Sequence, residues 1–449
     1  MVSLSRRTVT GLITTSGRQF EDWTADYRLL SRERFAPEEI FSVVRRGVVR
    51  TLGEGQPLVV AMDDTSSRKK GRTIPGAGWR RDPMGPPFRT QFLWGRRFFQ
   101  ISAVLPAQRP DAPGRAIPID LCHAPSPKKP SPKDPPEAWD AYHQASRAQS
   151  LSRLGVSRLH ALHRQMQRDR EQDHPLWAVA DGSYTNKTVL NNLPCGTTYI
   201  GRIRGDALLH ELPGPRQEGA RGRRPIYGTR LPTPEQIRQD PSIPWQTAPV
   251  FAAGKVHEMR YKTVGPVLWR NAGAHLSLRL VVIAPLSYRP SLGSPLLYRK
   301  PAYLICTEPD LPPEAILKAY LARWDIEVNF RDEKQLLGLD EAQVRTEASA
   351  RLAPALAVGS YALLLLAAAR AFGANGHPTA LPPPKWRQNT PQPRASTNTL
   401  QNHLRFDLWA QAISGPHFSP FVQTHRPVAN PEKYPPSPFS ALFYAQPAA

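Results

Sequence analysis

Hydrophobic and polar positions change their period several times along this chain of 449 residues. "PEEIFSVVRRGVV", 37–49, has apolar residues at helical spacing, with Pro37 and Glu38 at its start. "SRRTVTGLITTSG" has the same spacing, so residues 1–52 are expected to form a small helical N-terminal module. "PLVVAMDDTSS" breaks that period. Residues 57–62 are an apolar, β-branched run that predicts a buried central strand, ending at Asp63, Asp64 and Thr65. "RRFFQISAVLP", 96–106, predicts the next strand. Proline clusters at about 107–138 predict a long extended loop rather than core. Residues 137–172 read as helical and basic. Leu176–Ala180 predicts a short strand with Asp181 at its end, followed by a helix near Asn186.

Residues 196–306 alternate or run in β-branched residues between Gly and Pro, which predicts a mostly β segment. "TEPDLPPE", 307–314, is a helix start. "YLARWDIEVNFRDEK", 320–334, is expected to continue it as one helix. At about 100° per residue, Tyr320, Arg323, Glu327 and Lys334 fall within about 60° of one another. Leu317, Leu321, Trp324 and Val328 fall on the adjoining face, which is expected to be the core side. An isolated stripe of this kind is more often a solvated face with an Arg323–Glu327 ion pair. "LAPALAVGSYALLLLAAARAF", 352–372, has the length of a membrane span, but Arg351 and Arg370 flank it and alanine dominates, so a buried core helix is expected. Residues 376–449 are proline-rich, with a terminal helix expected over "NHLRFDLWAQAI".

Charge changes the picture. Lys and Arg number 59 against 37 Asp and Glu, a net +22, which points to a polyanionic partner, most simply nucleic acid. The three cysteines, Cys122, Cys195 and Cys306, are too scattered for a zinc site or a disulfide framework and suit a reducing compartment. No signal peptide is read in "MVSLSRRTVTGLITTSGRQF". No G-x-x-x-x-G-K-[ST] loop and no H-E-x-x-H pair is found, so neither nucleotide-driven nor histidine–zinc chemistry is expected.

Three carboxylates then share a pattern. Asp64 or its neighbour Asp63 ends one strand, Asp181 ends another, and Glu327 projects from a helix. Acids so placed can hold two hard divalent ions for in-line displacement at phosphorus, Mg²⁺ or Mn²⁺ rather than zinc. Singly, "DDT" and "ADGS" are ordinary turn or cap sequences.

The residues that carry these features resemble the DDE transposases of bacterial insertion sequences. More narrowly, Tyr320, Arg323, Glu327 and Lys334 match the Y-x2-R-x3-E-x6-K motif of one subgroup, and "DDTSS" and "VADGSYTN" resemble its two Asp regions. The resemblance covers roughly residues 1–375. It implies an α/β fold: an RNase H-like mixed-sheet catalytic core interrupted by a mostly β insertion domain. The core would comprise 53–195 and 307–375, and the insertion 196–306, with 1–52 and the Pro-rich 376–449 outside. It implies Asp64, Asp181 and Glu327 as catalytic metal ligands for two Mg²⁺ ions, with Mn²⁺ able to substitute. Asp64 is preferred to Asp63 because family members place Thr directly after the catalytic Asp. Tyr320, Arg323 and Lys334 would contact phosphates.

The same resemblance implies double-stranded DNA as partner, through terminal inverted repeats and target DNA, with a dimer on DNA, no membrane, and a bacterial cytoplasmic, nucleoid-associated location. Arg68, Lys69, Lys70, Arg72, Arg202, Arg204, Arg221, Arg223 and Arg224 are candidates for backbone contacts. Trp245 or Trp269 is a candidate to stack on a flipped base of a hairpin end. Rival readings are a structure-specific nuclease without strand transfer, a non-catalytic DNA-binding protein, and, on charge alone, an RNA-binding factor.

Overall fold

A computed structural model describes residues 1–413 except 5, 83–84, 87, 216–222, 224, 253, 290–292 and 379–391. Three helices open the chain: α1 (Val9–Thr15), α2 (Thr24–Ser31) and α3 (Pro37–Val49). Strands β1 (Leu58–Arg68), β2 (Gly78–Arg81), β3 (Phe92–Leu105) and β4 (Arg115–His123) follow. Then come α4 (Pro136–Ala148), α5 (Leu151–Arg168), β5 (Leu176–Ala180), α6 (Lys187–Leu190) and β6 (Thr198–Ile203). A β-rich stretch holds β7 (Leu209–His210), α7 (Pro234–Gln239), β8 (Gln246–Ala252), β9 (Lys255–Trp269), β10 (Leu278–Ile283), β11 (Ser287–Tyr288), β12 (Leu297–Tyr298) and β13 (Ala302–Cys306). Helices α8 (Pro313–Ala322), α9 (Asp325–Gln335), α10 (Glu347–Phe372) and α11 (Thr397–Ile413) close the described chain.

The main sheet runs β2-β3-β1-β5-β6-β13-β10-β9-β7, with β4 on β3 and β8 on β9. β1 and β3 pair antiparallel, as do β3 and β4, whereas β1–β5 and β5–β6 are parallel. The centre is therefore a mixed sheet, and its strands are apolar on both faces because both are covered. On one face Val60, Met62, Ala178 and Ala180 pack with Leu159, Leu162 and Met166 of α5. On the other, Ala61 and Val104 pack with Ile326 and Phe330 of α9, while Val179 packs with Ile316, Leu317 and Ala319 of α8.

Several expectations change. The stretch 107–138 is not all loop: Arg115–His123 is a buried strand of the core sheet. Pro118 concealed it, since proline cannot donate to a ladder. β4 is an edge strand with a register shift at Ile101/Ser102, beside Pro118, which is where a sheet admits proline. β1 does not stop at the acids but runs on to Arg68. The strands of 196–306 hydrogen-bond onto the core sheet through β6 and β13. Val44, Val48 and Val49 of α3 belong to the main core.

The expected single helix over 320–334 is two. Between α8 and α9 the backbone stays right-handed, but Trp324 N, Ile326 N and Glu327 N bond to carbonyls three residues back. That tightened turn rotates the face. Trp324, expected in the core, is 58% exposed, while Ile326, Asn329, Phe330 and Glu333 point inward. α10 is the one described helix long and apolar enough to cross a membrane, and it is packed inside the molecule, with Leu352, Val358 and Ala362 fully buried.

Candidate active site

Strand register builds the site. Met62 aligns with Ala180, and Ala180 with Gly201. One residue further along the same row stand Asp63, Asp181 and Arg202. Residues aligned across parallel strands share a face, and side chains alternate along each strand. Asp63 therefore follows Val59 and Ala61 on the face covered by α8 and α9. β5 ends at Ala180, so β1 loses its neighbour on that side at Asp63, and the sheet opens there into a notch.

The α8–α9 junction supplies the roof. Arg323 is buried, with Nη1 3.5 Å from Asp63 Oδ2 and Nη2 3.3 Å from Glu327 Oε1. Its Nε has no hydrogen-bond partner among the described residues. The guanidinium carbon lies 5.7 Å from the centre of the Tyr320 ring. Burial pushes the Tyr320 phenol up, Arg323 and Arg202 draw it back, and the Asp181 charge adds to the rise, so these four groups lie within electrostatic reach of one another.

Burial, together with the charges of Asp181 and Asp64, pushes the Asp63 carboxyl up to about 7, against the pull of Asp64 N–H and Arg323. Burial also raises Glu327, helped by Asp181 and opposed by Arg323. The cleft thus gathers carboxylates that resist ionising together, with one guanidinium as their internal counter-ion.

Asp64 points the other way. Its Oδ1 accepts a 2.8 Å hydrogen bond from the Tyr184 hydroxyl, and the Tyr184 ring lies 5.7 Å from that of Phe99, the cross-strand partner of Asp64. Burial and the Asp181 charge raise its carboxyl, while Tyr184, Arg97 and Arg80 hold it down. By pleat parity Asp63 and Asp64 thus lie on opposite faces of β1, Asp63 on the face that α8 and α9 cover and Asp64 on the face that carries Tyr184.

Asp181 is fixed by its own loop. Its Oδ1 accepts from Ser183 N at 2.8 Å and from Ser183 Oγ at 2.6 Å, and its carbonyl accepts from Thr185 Oγ1. Asn186 then caps α6 through Thr188 N and Val189 N. This is a sharp turn held by short polar side chains, as "DGSYTN" prescribes.

Other sequence candidates scatter. Arg202 joins the site. Lys334 is exposed two turns beyond Glu327 on α9. Arg68 is exposed and bonded to Asp82 at 2.6 Å, and Arg204 is exposed and paired with Asp206 at 2.7 Å. Lys69 is buried against Asp340 Oδ1 at 3.0 Å, so it is a core residue rather than a free surface cation. Lys70, Arg72 and Arg223 are exposed. Arg221 and Arg224 lie outside the described residues. Trp269 is 7% exposed and belongs to the core. The Trp245 ring is covered by Arg260 and Lys262, at 5.0 and 4.7 Å from its centre.

Sequence reasoning missed a polar seam beneath α9. Gln100 Nε2 donates to Glu333 Oε1 at 3.0 Å, Ser102 Oγ to Asn329 Oδ1 at 3.0 Å, and Asn329 Nδ2 to Ala116 O at 3.1 Å. Gln100 is the cross-strand partner of Asp63, so the seam fixes α9 beside the site. The signal was Asn329 and Glu333, four apart, on the inward face of a helix.

Among the described residues no three His, Cys, Asp or Glu side chains stand close enough to enclose a metal ion. The donor set still suits a hard divalent cation: Asp63, Asp181 and Glu327 offer only oxygens, the Asp181 charge raises the carboxyls of Asp63 and Glu327, and Arg323 bridges those two where an ion would relieve them. A search of curated proteins finds no match to the chain. Residues 1–274, more than half of the chain, match the family described as DDE superfamily endonuclease, a stretch that holds β1, β5 and both aspartate regions and ends before Glu327. The chain therefore belongs to the DDE superfamily of endonucleases, nuclease-type enzymes that cut DNA with divalent metal ions.

Proposed function

We propose that this endonuclease is a transposase of the subgroup bearing the Y-x2-R-x3-E-x6-K motif. It would cleave DNA at transposon ends and transfer the freed 3′-OH into target DNA. The observation that carries the reading is the row Asp63, Asp181 and Arg202 under Arg323 and Glu327. The strand order β4-β3-β1-β5-β6, antiparallel then parallel, supports an RNase H-like core. The β-rich stretch between Asp181 and Glu327 supports the same subgroup.

Asp63, Asp181 and Glu327 would hold two Mg²⁺ ions, and Mn²⁺ would serve in their place. When bound, such ions activate the attacking oxygen and stabilise the leaving one. The chain's own residues do the rest. Arg323 can leave its carboxylates to grip a phosphate with two parallel hydrogen bonds. Tyr320, beneath it, braces the guanidinium and offers a hydroxyl that burial keeps protonated. Arg202 and Lys334 add positive charge along the strand path, Lys334 as a point charge. Two ends must be cut, which calls for a dimer on DNA inside a bacterial cell.

The test is nicking of DNA that carries the element's own ends, with Mg²⁺ or Mn²⁺ and then with EDTA. Metal-dependent cuts lost in Asp63→Asn, Asp181→Asn and Glu327→Gln support the site. Joined products with a second duplex support strand transfer, and cutting without joining assigns a nuclease alone. Metal-independent cutting, or cutting retained in all three variants, refutes the reading.

A further inference from the structure

Away from the carboxylate cleft lies an open pocket of about 390 Å³ lined by His143, Ser146, Arg147, Ser150, Arg153 and Thr188. Its chemistry is one-sided. Two guanidiniums, an imidazole and three hydroxyls line it, and no carboxylate does. Arg147 and Arg153 have no ion-pair partner among the described residues. Arginines nearby are paired: Arg158, further along α5, bonds to Asp120.

The pocket sits where α4 meets α5. Ser150 Oγ accepts from Arg153 N, so the start of α5 caps itself and the hydroxyl proton of Ser150 remains free to donate. The wall is tied to the candidate active site. Ser152 Oγ accepts from Asn186 Nδ2 at 2.8 Å, Asn186 Nδ2 also donates to Ser183 O at 2.9 Å, and Ser183 binds the Asp181 carboxylate. Thr188, in the pocket lining, follows two residues after Asn186.

We infer that this pocket holds a backbone phosphate of the DNA strand that passes the Asp181 loop. Guanidinium forks and hydroxyl donors without a carboxylate fit a tetrahedral, multiply accepting anion. The pocket is open and larger than a lone phosphate requires, which suits a sugar–phosphate segment of a polymer rather than an enclosed small ion. A net charge of +22 makes a polyanion the natural occupant. The inference rests on DNA being the substrate, and it adds a contact outside the Tyr320–Lys334 motif.

The test compares the salt dependence of DNA binding for wild type, Arg147→Ala/Arg153→Ala and the charge-matched control Arg18→Ala/Arg109→Ala, whose arginines are already paired with acids. Each lost phosphate contact lowers the slope of log K against log salt by about 0.9. The pocket variant is expected to lose about one such step with its melting temperature unchanged. Arg147→Lys/Arg153→Lys should restore most of it. A slope equal to wild type, or a fall matched by the control, overturns the inference. So does protection of wild type, but not the variant, by inorganic phosphate without a slope difference, which would make the pocket a free-anion site. Absence of salt-sensitive DNA binding in wild type would instead sink the DNA reading itself.

Discussion

Arg323 Nη1 lies 3.5 Å from Asp63 Oδ2, whereas Asp64, one residue on, is bonded to Tyr184 on the opposite face of the same strand. Successive side chains on a strand point to opposite faces, so the two acids meet different neighbours. Asp63→Asn is expected to abolish metal-dependent cleavage, a fall of at least about 10³-fold, of the order seen when one catalytic group is removed. Asp64→Asn keeps an acceptor for Tyr184 and is expected to stay within about tenfold of wild type. Single-turnover nicking rates decide. If Asp64→Asn is dead and Asp63→Asn active, the parity assignment fails.

Arg323 bridges Asp63 and Glu327, so it competes with any metal ion that those carboxylates would hold. Removing it should therefore favour ion binding while harming cleavage. Arg323→Ala is expected to bind Mn²⁺ about tenfold more tightly than wild type without DNA, since a close charge pair is replaced by unopposed carboxylates. The comparison belongs at about pH 8.5, above the raised carboxyl range, so that protons do not take the vacated place. Its cleavage rate should nevertheless fall, because the phosphate grip is lost. Calorimetric titration of Mn²⁺ beside single-turnover rates separates the two effects. Equal affinity for Mn²⁺ would mean that the guanidinium does not guard the site.

Much of this arrangement was legible in the residues. The apolar run before Asp63, the short strand before Asp181 and the motif around Glu327 each announced themselves by period and spacing. What was hidden depended on three-dimensional partners. Register between β1 and β5 sets which of Asp63 and Asp64 faces α8 and α9, and register is a property of two strands, not one. β4 was masked by Pro118, which only an edge position excuses. Trp324 left the core because a few three-residue hydrogen bonds rotate α9 relative to α8. Lys69 read as a surface cation until Asp340, 271 residues away, proved to be its neighbour.

Glu333 makes stability depend on pH. It is fully buried, and burial pushes its carboxyl up to about 8, against the hydrogen bond from Gln100 and the charge of Lys334. Among the described residues Glu333 Oε2 and Gln100 Oε1 both lack partners, and a proton on Glu333 supplies the missing donor. The folded state thus holds this proton more tightly than the unfolded chain. Its contribution is fully present below the unfolded carboxyl range near pH 4.3 and is lost as pH rises to about 8, by up to about 1.4 kcal/mol per pH unit. Glu333→Gln keeps the shape and the hydrogen bond but cannot ionise. Denaturant melts from pH 5 to 9 should show the variant gaining on wild type as pH rises and then holding a constant lead. Parallel curves would mean that Glu333 ionises freely in the fold.

Lys69 and Lys70 are sequence neighbours with opposite expected fates. Lys69 Nζ lies 3.0 Å from Asp340 Oδ1, and Arg96 Nη1 donates to the same oxygen at 2.8 Å. Arg96 also bonds to the Ala350 carbonyl at the start of α10, so this buried carboxylate joins the β1–β3 end of the sheet to the helix behind it. Asp340 has φ +64°, a conformation that Asn tolerates, so Asp340→Asn removes the charge without backbone strain. Two buried cations would then share no counter-ion, a loss expected to cost about 3–5 kcal/mol of stability. Lys69→Ala should also destabilise, though less, because Arg96 still serves Asp340. It should leave the salt slope of DNA binding unchanged. Lys70 is exposed and has no ion-pair partner among the described residues, so Lys70→Ala should leave the melting temperature in place and flatten that slope by up to about 0.9 if it meets a phosphate. Measuring melting and salt slope on both variants separates a core lysine from a surface one. A slope change in Lys69→Ala with unaltered melting would reverse the assignment.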